Sequence, residues 1–197
     1  MARFKSVLSK RISIAIRQAD VWLDSVDVEA LETSAKAMHA LAVSICRQRV
    51  CLHKLVEGTR RRQVFIPNAD VLVNLSRSAL SRLMLQVVRA RRIEYPDEWT
   101  SQEYAGLLGG LALSYARDGD LTAVAIIVRA SARLRTKEAL LDEACLFLLD
   151  HQSESGGFGL LAAEAAERGY DQAAIGAQLK ATVDIISALD SYVERAL

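Results

Sequence analysis

Apolar residues recur at helical spacing along nearly the whole chain, and this pattern by itself predicts the elements. Leu8, Ile12, Ala15, Ala19, Trp22 and Val26 step by fours and threes, the stripe of an amphipathic helix. Asp24, Ser25 and Asp27 then offer cap chemistry at a short turn. The stripe resumes as Val28, Leu31, Ala35, Met38, Ala42, Ile45, Leu52 and Val56, with Arg49 in the one polar seam position. That alternation predicts an antiparallel hairpin of the first two helices with coiled-coil-like packing. Gly58 and the run Arg60, Arg61, Arg62 open a loop that closes at Pro67 and Asn68, where Asp70 is placed to cap a third helix. Leu72, Leu75, Ala79, Leu83, Val87 and Ala90 mark the buried side of that helix, and Arg77, Arg82, Arg89 and Arg92 stand outside it.

The second half follows the same logic. Thr100 and Glu103 have capping-box spacing at the start of a fourth helix. Asp118, Gly119 and Asp120 end it and begin a fifth, whose Val124, Ile127 and Val128 are predicted core. Thr136 is set to cap a sixth helix over Leu140 to Asp150, apolar on two sides and therefore interior. A glycine-rich loop, a short helix from Leu160 to a stop at Gly169, and a last helix carrying Ile175, Leu179, Val183, Ile186, Leu189 and Val193 complete the chain. No segment shows the period of two that marks a strand. The prediction is one all-α domain over residues 1–197, about eight helices in antiparallel hairpins, arranged as a helical-repeat array or a partial α/α toroid.

Composition narrows the class without naming a function. With 51% hydrophobic and 25% charged residues, the chain can bury a core, which excludes disordered, collagenous and disulfide-scaffold readings. Two prolines in 197 residues leave room for long helices. Three cysteines, an odd number with no leader pattern before them, point to reduced thiols and a cytoplasmic location. No apolar run reaches the length of a bilayer span. Arginine outnumbers lysine 19 to 6, which suggests a GC-rich bacterial source.

Charge adds an asymmetry. Residues 1–93 hold 17 basic against 7 acidic side chains, a net of +10, and residues 94–197 hold 8 against 17, a net of −9. The simpler expectation is two halves that attract each other. The alternative is a basic face turned to an anionic partner through Arg60, Arg61, Arg62, Arg89, Arg91 and Arg92. Nucleic acid is disfavoured as that partner, since neither interleaved aromatics nor a recognition-helix turn accompanies these runs.

Candidate chemistry is sparse. Glu32, His39, Cys46 and His53 recur every seven residues, but neighbours in that series lie roughly 10 Å apart along a helix. Metal ligands must converge on one ion at about 2 Å, so no metal site and no cofactor are expected. Phosphate-loop, nucleophile-elbow, His-Glu-x-x-His and dinucleotide motifs are all missing from the sequence. Gly106, Gly109 and Gly110 interrupt the fourth helix, each weakening it by about 1 kcal/mol against alanine. Close approach of another helix accounts for them, with a ligand against the backbone as the functional alternative.

One segment carries a resemblance. Gln152-Ser153-Glu154-Ser155-Gly156-Gly157-Phe158-Gly159 follows the apolar helix Ala144 to Leu149 and precedes the helix Leu179 to Leu189 with its Thr182-Val183 step. Glycines there allow a tight loop with positive φ, the glutamine can bond backbone groups, and the phenylalanine can plug a gap between helix layers. This order resembles one repeat of the α/α toroid in terpenoid cyclases and protein prenyltransferase β subunits, over Thr136 to Tyr192. The resemblance implies an apolar central cavity that holds isoprenoid chains. It brings no catalytic residues, because those families use Asp-x-Asp-Asp or Asp-Asp-x-x-Asp clusters or a zinc site. Here the adjacent acid pairs are Asp97-Glu98 and Asp142-Glu143, both at helix-start positions.

The expectation is therefore a non-catalytic helical interaction or scaffold protein beside a biosynthetic pathway, with a protein partner or a second copy as its target. An apolar small molecule would sit near Tyr104, Gly106, Gly109, Gly110, Tyr115, His151, Gln152 and Phe158. The alternatives are a small terpenoid-cyclase-like or prenyltransferase-like enzyme or accessory, and a nucleic-acid binder using the basic half.

Overall fold

Leu8, Ile12, Ala15, Ala19 and Trp22 are all buried along one side of α1 (Ala2–Ser25), as their spacing requires. The computed structural model describes residues 2–48, 63–96, 100–136, 138–159 and 172–196. After α1 come α2 (Thr33–Gln48), β1 (Gln63–Phe65), α3 (Ala69–Val73), α4 (Arg77–Arg89) and β2 (Arg92–Glu94). Then follow α5 (Ser101–Arg117), α6 (Leu121–Leu134), α7 (Ala139–Asp150) and α8 (Gln172–Ala196). The fold is all-α: eight helices and one short parallel sheet among the described residues. The short helix expected from Leu160 to Gly169 lies outside them, as do Leu52, His53, Val56 and the Asp97-Glu98 pair.

Helix α6 is the centre. From Leu121 to Leu134 almost every side chain is buried, and α4, α5 and α8 close around it. Its four small residues Ala123, Ala125, Ala130 and Ala132 are all buried and let those neighbours approach closely. Helix α7, whose two apolar sides predict an interior helix, buries Leu141, Ala144, Cys145, Leu148 and Leu149. That helix keeps Leu146 and Phe147 only partly buried. Asp118, Gly119 and Asp120 form the predicted turn from α5 to α6, with Gly119 at φ +73° and the Asp120 carboxylate accepting from the Ala123 N–H at 3.0 Å.

Long-range contacts fix directions that spacing could not. Arg77 at the start of α4 pairs with Asp118 and lies over the Tyr115 ring, while the Arg133 guanidinium near the end of α6 donates to the Ala90 carbonyl at 2.8 Å. Helices α4 and α6 therefore run parallel, with both C-terminal ends on one side. Helix α2 does not form the expected seam with α1. His39 bonds the Leu23 carbonyl and Arg47 pairs with both Asp20 and Asp24, so two turns of α2 reach the same last turns of α1 and the helices cross there. Helix α2 lies along α8 instead.

Several local expectations change. The predicted third helix is broken in two: Asn74 closes α3 and its amide donates to the Asp70 carbonyl, and Ser76 opens α4 by accepting from the Ala79 N–H. Side chains of this kind compete for backbone groups and favour helix ends. Asn68, not Asp70, caps α3. The second helix starts at Thr33, since Val28 and Leu31 belong to the preceding turn. Thr100 precedes α5 but makes no cap bond to it; its hydroxyl donates to Glu103 instead. Glu138 caps α7, and buried Thr136 serves the end of α6 through the Ser131 carbonyl. Strands β1 and β2, which periodicity did not predict, pair Gln63 with Arg92 and Phe65 with Glu94. Three residues are too few to display a period of two.

The oppositely charged halves pack mainly through apolar faces. Only two of the ion pairs among the described residues cross from one half to the other, Arg11–Asp150 and Arg77–Asp118, and both are exposed.

Candidate functional site

The Gln152–Gly159 loop is where the sequence drew its sharpest expectation. A two-residue bridge between Gln152 and Phe158 closes it, and Gly156 and Gly159 take φ +104° and +129°, conformations that side chains resist. The Gln152 amide donates to the Gly156 carbonyl and to the Ala15 carbonyl of α1, both at 2.8 Å. The Phe158 ring is fully buried, and its N–H donates to the Thr182 hydroxyl of α8 at 3.0 Å. Gly156 meets the Gln18 backbone and Gly157 meets the Trp22 ring with no room for a Cβ between. His151 closes α7: its Nδ1 lies 2.8 Å from the Phe147 carbonyl, and its ring rests on Phe147 with centroids 4.4 Å apart. The loop thus fastens α7 to α1 and α8, with the polar groups of His151 and Gln152 turned to backbone atoms.

The other residues named as a ligand site do not join this loop. Tyr104 and Tyr115 are buried on α5. The Tyr104 hydroxyl donates to the Pro67 carbonyl at 2.6 Å, and Tyr115 underlies Arg77. Burial raises the phenol pKa of both. Gly109 supports the close-approach reading, because a Cβ there would lie 2.7 Å from that of Leu140 on α7. Gly106 and Gly110 face open space.

Among the described residues the two cysteines differ in enclosure, Cys145 buried and Cys46 half-buried. Cys145 is buried, and burial first, then the nearby Asp142 carboxylate, holds its thiol well above the usual range. The Cys46 thiol is pushed up to about 12 by burial and then by Asp20. Tyr192, buried on α8, donates to Asp142 at 2.7 Å, and its pKa is raised by burial and then by that bond. Among the described residues no three His, Cys, Asp or Glu side chains converge as a metal site. No helix of the structure is long and apolar enough to cross a membrane.

What the surface offers lies elsewhere. Val7, Ile14 and Val21 repeat every seven residues on the outer side of α1 and remain 53%, 39% and 71% exposed. Ile14 and Val21 border a groove of about 330 Å³ with Arg17, Gln18 and the loop residues Glu154, Ser155 and Gly156. This second stripe was present in the sequence as an i, i+7, i+14 repeat beside the core stripe, but spacing alone could not say which of the two the fold would cover. Of the predicted partner-binding arginines, Arg89, Arg91 and Arg92 are exposed, and Arg60, Arg61 and Arg62 lie outside the described residues. Compared with family models, curated proteins and solved structures, the chain matches none of them.

Proposed function

We propose that this chain is a non-catalytic helical interaction protein that holds an acidic amphipathic helix of a partner protein on the outer face of α1. The observation that carries the reading is the exposed Val7–Ile14–Val21 stripe, interrupted by Lys10 and Arg17 and flanked by the groove against Glu154 to Gly156. A seven-residue repeat keeps a straight seam for one helix, and basic positions between its members select an acidic occupant. A second copy fits less well. Antiparallel self-docking about Ile14 would set Arg11 of one chain against Arg17 of the other, twice per dimer. Enclosure of Cys145 and the closed Tyr192–Asp142 pair support the non-catalytic part of the proposal. The packing roles of Gln152, Gly156, Gly157 and Phe158 support the non-catalytic part as well.

The test pairs native mass spectrometry with titration of a synthetic helix that carries leucine every seventh residue and glutamates beside it. The expected result is a monomer without bound small molecule that takes up one peptide, with uptake lost in Ile14→Glu while the circular dichroism is kept. A co-purified apolar molecule of a few hundred daltons, or peptide uptake unchanged in Ile14→Glu, would overturn the reading.

A further inference from the structure

The end of the bundle where α4 and α6 finish together carries more positive charge than the fold requires. Arg133 reaches across to the Ala90 carbonyl, which brings the end of α6, with the exposed Arg135 just after it, to the α4–β2 segment that carries the exposed Arg89, Arg91 and Arg92. Each helix C-terminus presents about half a negative charge, so two of them account for about one cation, and Glu94 accounts for another. With Arg133 serving the helix end at Ala90, the four exposed guanidinium groups less Glu94 leave a surplus of about three among the described residues. None of Arg89, Arg91, Arg92 and Arg135 is paired with a carboxylate among the described residues. The Glu94 carboxylate accepts from the Gln63 amide instead.

An aromatic side chain stands in the same place. In the parallel β1–β2 pair, Gln63 lies opposite Arg92 and Phe65 opposite Glu94, and the buried Val64 shows that the alternate positions face inward. Phe65 and Arg92 thus share the outward face, with Cα atoms roughly 8 Å apart from the strand rise and spacing. Phe65 is 58% exposed, and Tyr95 beside Glu94 is exposed too. In the sequence Phe65 follows Arg62 by three residues and Tyr95 follows Arg92 by three, but only the strand pairing sets Phe65 beside Arg92.

We infer that this surface binds single-stranded nucleic acid, with the arginines on successive phosphates and Phe65 stacked on a base. Arginine forks suit phosphate oxygens, and an exposed ring beside them supplies the sequence-tolerant stacking that single strands use. An acidic polypeptide would use the charges and leave the ring without a role. The inference is independent of the α1 face proposed above, which lies on a different helix.

Fluorescence anisotropy of labelled oligothymidylate, titrated with the full chain at low salt, tests it. Three phosphates neutralised predict a log–log salt slope of about −2, since each contributes about −0.7 on single strands. The double variant Arg91→Gln, Arg92→Gln should bring that slope to about −0.7. Phe65→Ala should weaken binding about tenfold with the slope unchanged, and Phe65→Trp should restore it. Arg117→Gln, at the turn between α5 and α6 and so at the opposite end of α6, removes an exposed charge elsewhere and should leave both quantities unaltered. Circular dichroism confirms that each variant is folded. No binding at low salt, equal binding by Phe65→Ala, or displacement by polyglutamate as effective per charge as by unlabelled oligonucleotide would overturn the inference.

Discussion

Three glycines in one helix illustrate how much a single residue's surroundings decide. Gly106 and Gly110 face open space, so replacing either by alanine should stabilise the protein by about 1 kcal/mol, the intrinsic helix difference. Gly109→Ala should instead destabilise it, because its Cβ would press on Leu140 at 2.7 Å; urea unfolding of the three variants reads both signs. Phe158→Ala removes a fully buried ring and should cost about 3 kcal/mol or more in the same experiment, with a loss below about 1 incompatible with the packing described. The thiols give a pH dependence. Cys46 rises from an ordinary 9.0 to about 12 on folding, so its contribution to stability is whole below pH 9 and is lost as pH climbs toward 12. Tyr192 acts in the same direction from its ordinary 10.0 upward. The melting temperature should fall across this window, and less steeply in Cys46→Ala.

Four helix starts among the described residues, at Asn68, Ser76, Asp120 and Glu138, are set by polar side chains that accept from the first turn. Asp120 starts α6, the most enclosed element, and Ser76 starts α4, which exposes one whole side. Each alanine replacement removes one acceptor and should cost about 1 kcal/mol, with Asp120→Ala the larger of the two by denaturant midpoint. The turn at Asp118 to Asp120 and the caps at Ser76 and Glu138 are satisfied by atoms within five residues. Of these the sequence displayed only the first, where a glycine with positive φ stands between two aspartates. Thr136 and Glu138 both stand before the same apolar run, and the bond of buried Thr136 to the Ser131 carbonyl of α6 leaves Glu138 as the cap of α7.

At the scale of the whole molecule, the opposed charges of the two halves invited an electrostatic account of their docking, and the fold gives an apolar one. Two exposed ion pairs cross between them, and such pairs contribute little. Raising sodium chloride from 50 mM to 1 M should therefore lower the melting temperature by no more than about 4 °C by scanning calorimetry. The core stripes of α1 and α8, the loop's glycine and phenylalanine positions and the all-α class could be read from the order of residues, since each depends on groups a few positions apart. The crossing of α2 over α1, the parallel run of α4 and α6, and the meeting of Phe65 with Arg92 could not. Those follow from which apolar faces find each other across long stretches of chain, a choice made by packing the whole core around α6. The candidate surfaces are the residue of that choice: the faces of α1 and of the α4–α6 end that the core left uncovered.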